Sequence, residues 1–334
     1  MSMFDVRGSA SFCLCLLTAA CTNAVTAEQQ GYAPPLSMNG QRQIAVQEDA
    51  SKAERLSTGL SDDLYPVVNA DGTLLLYQSE TYEDVEGARR LVGQMLLGID
   101  PKKKGAGVAF TDKARLANQP SFLPNGASFV FVTNALGPLA LVKAETITPN
   151  AAMKVIVSSD MAPEAGEPAV SPDGARVAFS MKGKDGGRVV AVINIEGTKL
   201  RVLGEGRGPT WNYAGLELVF VRTDKNGYNH LHAAAVDRFS EARQLTSGEL
   251  DCDRPSFSPD GKQLVFASNR GWKEAQKKRS EYLQLVSADA DGRALNQVTT
   301  GQRRSGTPFW ARDGFIYFTS DREGSLDVYR MRAP

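Results

Sequence analysis

The sequence predicts an all-β protein: a six-bladed β-propeller of four-stranded antiparallel blades, the last blade closed by an N-terminal strand. Three observations predict it. A unit of the form Pro-x-[aromatic or Val]-Ser-x-Asp-Gly recurs six times, a short apolar run follows each copy, and a segment that elsewhere ends a unit also precedes the first one. Repeats spaced by about 40 to 50 residues and punctuated by turn signals are the mark of propeller blades.

The copies begin at Pro66, Pro120, Pro168, Pro209, Pro255 and Pro308, with spacings of 54, 48, 41, 46 and 53 residues. In Ser171-Pro172-Asp173-Gly174 and Ser258-Pro259-Asp260-Gly261 the proline presets φ for the second position of a type I turn. The aspartate can bond back to local amides, and the glycine takes a conformation that other residues resist. Asn125 keeps this chemistry in the second copy. Ala214 does not, so the fourth blade is expected to have the least regular turn. The leading proline cannot donate to a ladder and is expected as the first residue of its strand.

Each turn leads into a second strand. Leu74–Tyr77, Phe129–Val132, Val177–Phe179, Leu218–Val221, Leu264–Phe266 and Ile316–Phe318 are β-branched and aromatic runs, the length of strands buried on both faces. A third strand follows, clearest at Tyr282–Val286 and Asp327–Arg330, and a fourth ends most units, as at Gln244–Thr246 and Gln297–Thr299. Leu245-Thr246-Ser247-Gly248 and Val298-Thr299-Thr300-Gly301 each begin ten residues before the next leading proline, and Leu56-Ser57-Thr58-Gly59 begins ten before Pro66. The shared offset makes residues near Glu54 to Ser57 a fourth strand that completes the blade begun at Pro308, removing an open edge.

Ahead of the propeller, expected over residues 51–334, the chain reads as an export leader and a linker. Phe12–Ala20 is an uncharged apolar core too short to span a bilayer, with Arg7 upstream and Asp5 offsetting it. Leu17-Thr18-Ala19-Ala20-Cys21 resembles a bacterial lipoprotein box, which would end the leader at residue 21 with a lipid on Cys21; Thr18 stands where an aliphatic residue is usual. Val25-Thr26-Ala27 before Glu28 suits ordinary signal cleavage instead, ending the leader at residue 27. Residues 22–50 are polar and lack a period, a flexible-linker composition. Three of the four cysteines fall in the leader, leaving Cys252 as a passive small side chain between Asp251 and Asp253.

With 38 basic and 38 acidic residues the net charge is zero, so the footprint of a nucleic-acid binder is missing and no such partner is expected. The pattern Pro-x-[Phe/Trp]-Ser-Pro-Asp-Gly, then an apolar strand, then Ser268-Asn269-Arg270 or Ser320-Asp321-Arg322, is similar to the Pro-Asp, WD40-like repeat of TolB-like six-bladed propellers. The resemblance covers residues 52–334 and is specific for fold rather than function. For TolB it implies a periplasmic adaptor that docks a peptidoglycan-associated lipoprotein. Residues 1–50 offer no counterpart of the α/β domain that precedes that propeller, so the Tol role is not carried over. The same repeat occurs in prolyl-oligopeptidase-type peptidases, but no Gly-x-Ser-x-Gly elbow stands in this sequence.

Candidate chemistry is sparse. His230 and His232 are the only histidines, two apart and so on one strand face; they could ligate a metal, but no third ligand can be assigned, and two polar edge residues are the simpler reading. Propellers bind at one channel mouth, on the connections from fourth to first and from second to third strands. Here those connections carry Asp62, Asp63, Tyr82, Arg89, Arg90, Asp251, Asp253, Arg254, Trp272, Arg303 and Arg304, an alternation of charge suited to reading a protein or peptide surface. The expectation is a monomeric, non-enzymatic envelope module with no cofactor, touching a membrane only through an N-terminal lipid. The alternative is a propeller-type hydrolase, lyase or small-ligand binder with its site at the channel mouth.

Overall fold

The apolar runs after the turns form buried strands at the second position of six four-stranded antiparallel sheets. The computed structural model describes residues 53–112, 115–270, 283–300 and 303–334. A short strand, β1 (Glu54–Arg55), comes first, and blade one follows as β2 (Asp62–Val68), β3 (Leu75–Val85), β4 (Ala88–Ile99) and β5 (Val108–Ala109). Blade two is β6 (Ala117–Phe122), β7 (Phe129–Thr133), β8 (Ala140–Ala144) and β9 (Met153–Val157). Blade three is β10 (Gly166–Val170), β11 (Arg176–Lys182), β12 (Arg188–Asn194) and β13 (Arg201–Glu205). Blade four is β14 (Arg207–Trp211), β15 (Glu217–Thr223), β16 (Asn229–Ala235) and β17 (Arg243–Gln244). Blade five is β18 (Cys252–Phe257), β19 (Gln263–Ser268), β20 (Gln284–Asp289) and β21 (Asn296–Gln297). Blade six is β22 (Ser305–Trp310), β23 (Phe315–Ser320) and β24 (Asp327–Arg332), with β1 as its fourth strand.

Six apolar clusters hold the described blades together, each across one boundary between neighbours. Leu56, Tyr317 and Val328 of the last blade pack with Val68, Leu75 and Tyr77 of the first, so the ring is closed. Glu54 and Arg55 pair with Arg330 and Tyr329, and the Leu56 amide donates to the Val328 carbonyl at 2.8 Å. The ten-residue offset has a physical basis. Ser57 Oγ accepts from the Val328 amide, as Thr246 Oγ1 accepts from Leu231 and Thr299 Oγ1 from Leu285, all at 2.9 Å. A hydroxyl at this position replaces the strand bond that is lost where the fourth strand ends.

Two expectations are corrected. The leading proline lies inside its first strand, at the third to fifth residue, because each first strand carries a bulge there. A bulge leaves a residue without a ladder partner, which is where a proline is tolerated. The residue directly before each proline is left-handed: Tyr65 at φ 53°, Gln119 at 52°, Glu167 at 54°, Gly208 at 57°, Arg254 at 55° and Thr307 at 44°. Five of the six are not glycine, so the ring holds a repeated backbone strain of about 1 kcal/mol or more at each.

The fourth turn is also regular. Asn212 Oδ1 accepts from the Leu216 and Glu217 amides, both at 3.1 Å, doing from the first turn position what Asp173 and Asp260 do from the third. The shortest turn is in blade six, where the Ala311 amide bonds to Phe315, four residues on, whereas Ser171 bonds to Arg176, five on. In a closed ring of four-stranded meanders these turns share one end with the third-to-fourth connections. The second-to-third and fourth-to-first connections occupy the other end, where every first strand begins.

Candidate functional site

Just inside that loop-bearing end the left-handed residues bring side chains to the ring axis. Arg254 of blade five lies 2.9 Å from Glu167 Oε1 of blade three and donates to Tyr65 Oη of blade one at 2.9 Å, its guanidinium 4.8 Å from the Tyr65 ring centroid. Those blades are not neighbours, so Arg254 spans the axis. Beside it Arg207 holds Asp253 through two bonds of 2.9 Å, while Glu167 accepts from Ser180 Oγ at 2.6 Å and the Gly208 amide at 2.8 Å. The Glu167 amide donates to Gln119 Oε1 at 2.7 Å.

The cluster holds two cations and two anions, each with an opposite partner. Burial alone would raise the Glu167 and Asp253 carboxyls, but Arg254 and Arg207 reverse this and hold both below the ordinary range. Burial pushes the Tyr65 phenol up, so it stays protonated and gives no nucleophile near neutrality. Chemically the arrangement is a strut: it locks alternate blades and floors the mouth with a charge-balanced polar surface.

A second network covers blades one and two. Glu80 accepts from Gln78 at 2.6 Å, Gln94 at 2.8 Å and Tyr82 Oη, and Asn118 donates to Gln94 Oε1 at 2.7 Å. Above it β3 and β4 outrun β2 and β5 and continue as a two-stranded ribbon. Such a ribbon is marginal alone. Arg89 pins it, stacking 4.0 Å over the Tyr82 ring and reaching Asp62 at 2.9 Å.

The residues expected on the rim therefore divide. Arg89, Arg90 and Arg303 are exposed and Tyr82 is half-buried on the ribbon. Asp62 and Asp63 are buried at the start of β2, and Asp253 and Arg254 line the first-strand wall within the mouth. Asp251 is buried, accepting from the Asn229 amide at 2.8 Å, and the Arg304 amide donates to Asp321 at 2.7 Å. Trp272 and Cys21 lie outside the described residues. The central residue of the Ser-Asn-Arg and Ser-Asp-Arg signatures is structural: Asn269 accepts from the Asp251 amide at 2.8 Å, as Asp321 does from Arg304 and Asn134 from Leu116.

His230 and His232 lie on β16, the third strand of blade four rather than an edge; His230 is buried with Nε2 3.5 Å from Asp224, and His232 stacks on Phe220. Among the described residues no three His, Cys, Asp or Glu side chains are placed to hold one metal ion. Cys252 is buried and burial pushes its thiol up to about 11. Tyr65, Glu167 and Arg207 are axial residues that the sequence reading did not single out. The signal was present, since each of the first two directly precedes a repeat proline.

Asp63 faces the closing strand. Burial raises its carboxyl to about 7, against the hydroxyls of Ser57 and Ser79 and with help from Asp327 and Asp62; its Oδ1 has no hydrogen-bond partner. The folded state thus binds a proton more tightly than the unfolded chain. The resulting stability is full below the unfolded value near 4 and is lost as pH rises through about 7, on the order of 4 kcal/mol. Chemical denaturation of Asp63→Asn against wild type is expected to show this slope in wild type alone between pH 4 and 7. His232, lowered by burial, titrates with the opposite sign in that window and cancels in the comparison.

No family model matches the chain. TolB from Acinetobacter baumannii is similar at a TM-score of 0.58 and 18% identity, over 75% of this chain and 57% of that one. The fold is TolB-like. In sequence, the Tol-Pal system protein TolB of Francisella tularensis is 24% identical over 125 residues, and an uncharacterized peptidase, YuxL, of Bacillus subtilis is 26% identical over 179. These matches span 36% and 50% of this TolB-like chain, but only 26% and 24% of the relatives' own length. An oligogalacturonate lyase in complex with manganese shares the fold at a TM-score of 0.54 and 17% identity, over 90% of this chain and 98% of that one.

Proposed function

We propose that this TolB-like propeller is a protein or peptide interaction module that uses its loop-bearing mouth. The observation that carries the reading is the axial strut: Arg254, Glu167 and Tyr65 are committed to one another just inside the mouth, which leaves a polar floor beneath a charged rim. Complementary charge on such a rim sets register and association rate. Ribbon and rim groups, Tyr82, Arg90 and Arg303 among them, supply the contact surface. A hydrolase or lyase using these axial groups would first have to free them from each other.

The setting is read from the leader and from the Tol-Pal relative: a bacterial envelope protein, exported, monomeric, with Cys21 as its lipid anchor or cleavage after Ala27. Mass spectrometry of membrane-fractionated protein distinguishes the two, the anchor being refuted by an unmodified N-terminus at Glu28. Photo-cross-linkers placed at Glu83 and Arg90 on the ribbon, against Asp173 and Asp260 at the opposite end, test the use of the mouth.

A further inference from the structure

Several arginines near the mouth are matched with carboxylates. Arg207 and Arg254 are paired with Asp253 and Glu167, and Arg304 with Asp321. Arg322, two residues past the end of β23, stacks over Tyr329 and Phe318 and donates to Ser320 Oγ. Arg270 holds the matching place in blade five, two past the end of β19, and Ser268 and Phe266 are the counterparts of Ser320 and Phe318. The counterpart of Tyr329 is Val286, the partner of Phe266 across the sheet, so that stacking surface is missing. Arg270 is only half-exposed, burial lowers its guanidinium, and no carboxylate pairs with it among the described residues.

Beside Arg270 is a cavity of about 50 Å³, lined also by Thr246, Ser247, Ser268 and the Cys252 side chain. A single water needs roughly 10–15 Å³ by this measure, so three or four heavy atoms fit. A carboxylate is of that size and is the natural partner of a planar guanidinium flanked by hydroxyls. The Cys252 thiol stays neutral and does not compete as an anion. Asp251, the acidic neighbour, is occupied by the Asn229 amide. Arg303 is exposed in the next fourth-to-first connection at the same end of the ring and has no carboxylate partner among the described residues.

We propose that this cavity is a carboxylate site that takes an Asp or Glu side chain from an acidic segment of the partner. The inference rests on the mouth being the interaction surface and names what the basic sector of that surface accepts. A partly desolvated guanidinium with no carboxylate partner among the described residues gains most from a ligand that supplies one, and specificity follows because an amide leaves the charge unmatched.

The test titrates the full chain with a fluorescent Glu-rich hexapeptide and its all-Gln analogue at fixed ionic strength, following anisotropy and the labelling rate of Cys252 by peptide mapping. The Glu peptide is expected to bind, to slow Cys252 labelling, and to lose at least tenfold in affinity with Arg270→Gln but not with Arg322→Gln; the Gln peptide is expected not to bind. Equal binding to Arg270→Gln, unchanged Cys252 labelling, or protection by inorganic phosphate but not by the peptide or acetate would overturn it. Mouth cross-links that persist unchanged in Arg270→Gln would refute the pocket while leaving the mouth as the interface.

Discussion

Deleting residues 53–59 is expected to lower stability by at least about 5 kcal/mol, the largest loss for any single change considered, because it opens the ring. Leu56 is fully buried between the last and first blades, and losing such a side chain costs about 2–5 kcal/mol by itself. Arg55 lies 2.8 Å from Asp327, which is fully buried, so the deletion also strands a carboxylate. Hydrogen exchange should then quicken through β24 before any other blade, with denaturant unfolding no longer a single transition. An unchanged thermal midpoint would contradict ring closure by this strand.

Arg254→Ala is expected to cost about 2–3 kcal/mol. Breaking a buried pair by removing one partner typically costs 3–5 kcal/mol, and these side chains keep 24% and 12% exposure, which places the expectation at or below that range. Glu167 would retain Ser180 and the Gly208 amide but lose its nearest cation, and Tyr65 would lose its donor. The double variant Arg254→Ala, Glu167→Gln should recover part of the loss, since no uncompensated charge remains. Urea denaturation of the four proteins measures the coupling. Strictly additive effects, or a loss below about 0.5 kcal/mol, would show that the axial contacts are incidental.

Architecture was legible because it rests on local chemistry repeated in register. The Asp-Gly turns, the hydroxyl nine residues before Pro66, Pro255 and Pro308 and the twice-buried second strands each report a backbone need that few residue types meet. The proline's place was misread because its bulge is invisible without the pairing partner: a residue that cannot donate looks like a strand start until the ladder is seen to skip it. Blade four kept its turn because Asn212, at the opposite corner, supplies the acceptor that Ala214 lacks.

The site was less legible for a different reason. Charged residues at the right connections were visible, but Asp62, Asp63, Asp251, Asp253 and Arg254 are drawn inward by partners up to 189 positions distant, as in Arg254 and Tyr65. Sequence spacing carries no record of which blades face one another across the axis. The pre-proline position carries that record only once its left-handed φ is known.

The most direct test of the account is site-specific photo-cross-linking in cells of the source organism, comparing the two ends of the ring. Cross-linkers at Glu83 and Arg90 are expected to capture one protein partner, with capture reduced in Arg303→Glu, while Asp173 and Asp260 capture none. Equal capture from both ends, or capture from the Asp-Gly turn end alone, would contradict the mouth as the interaction surface.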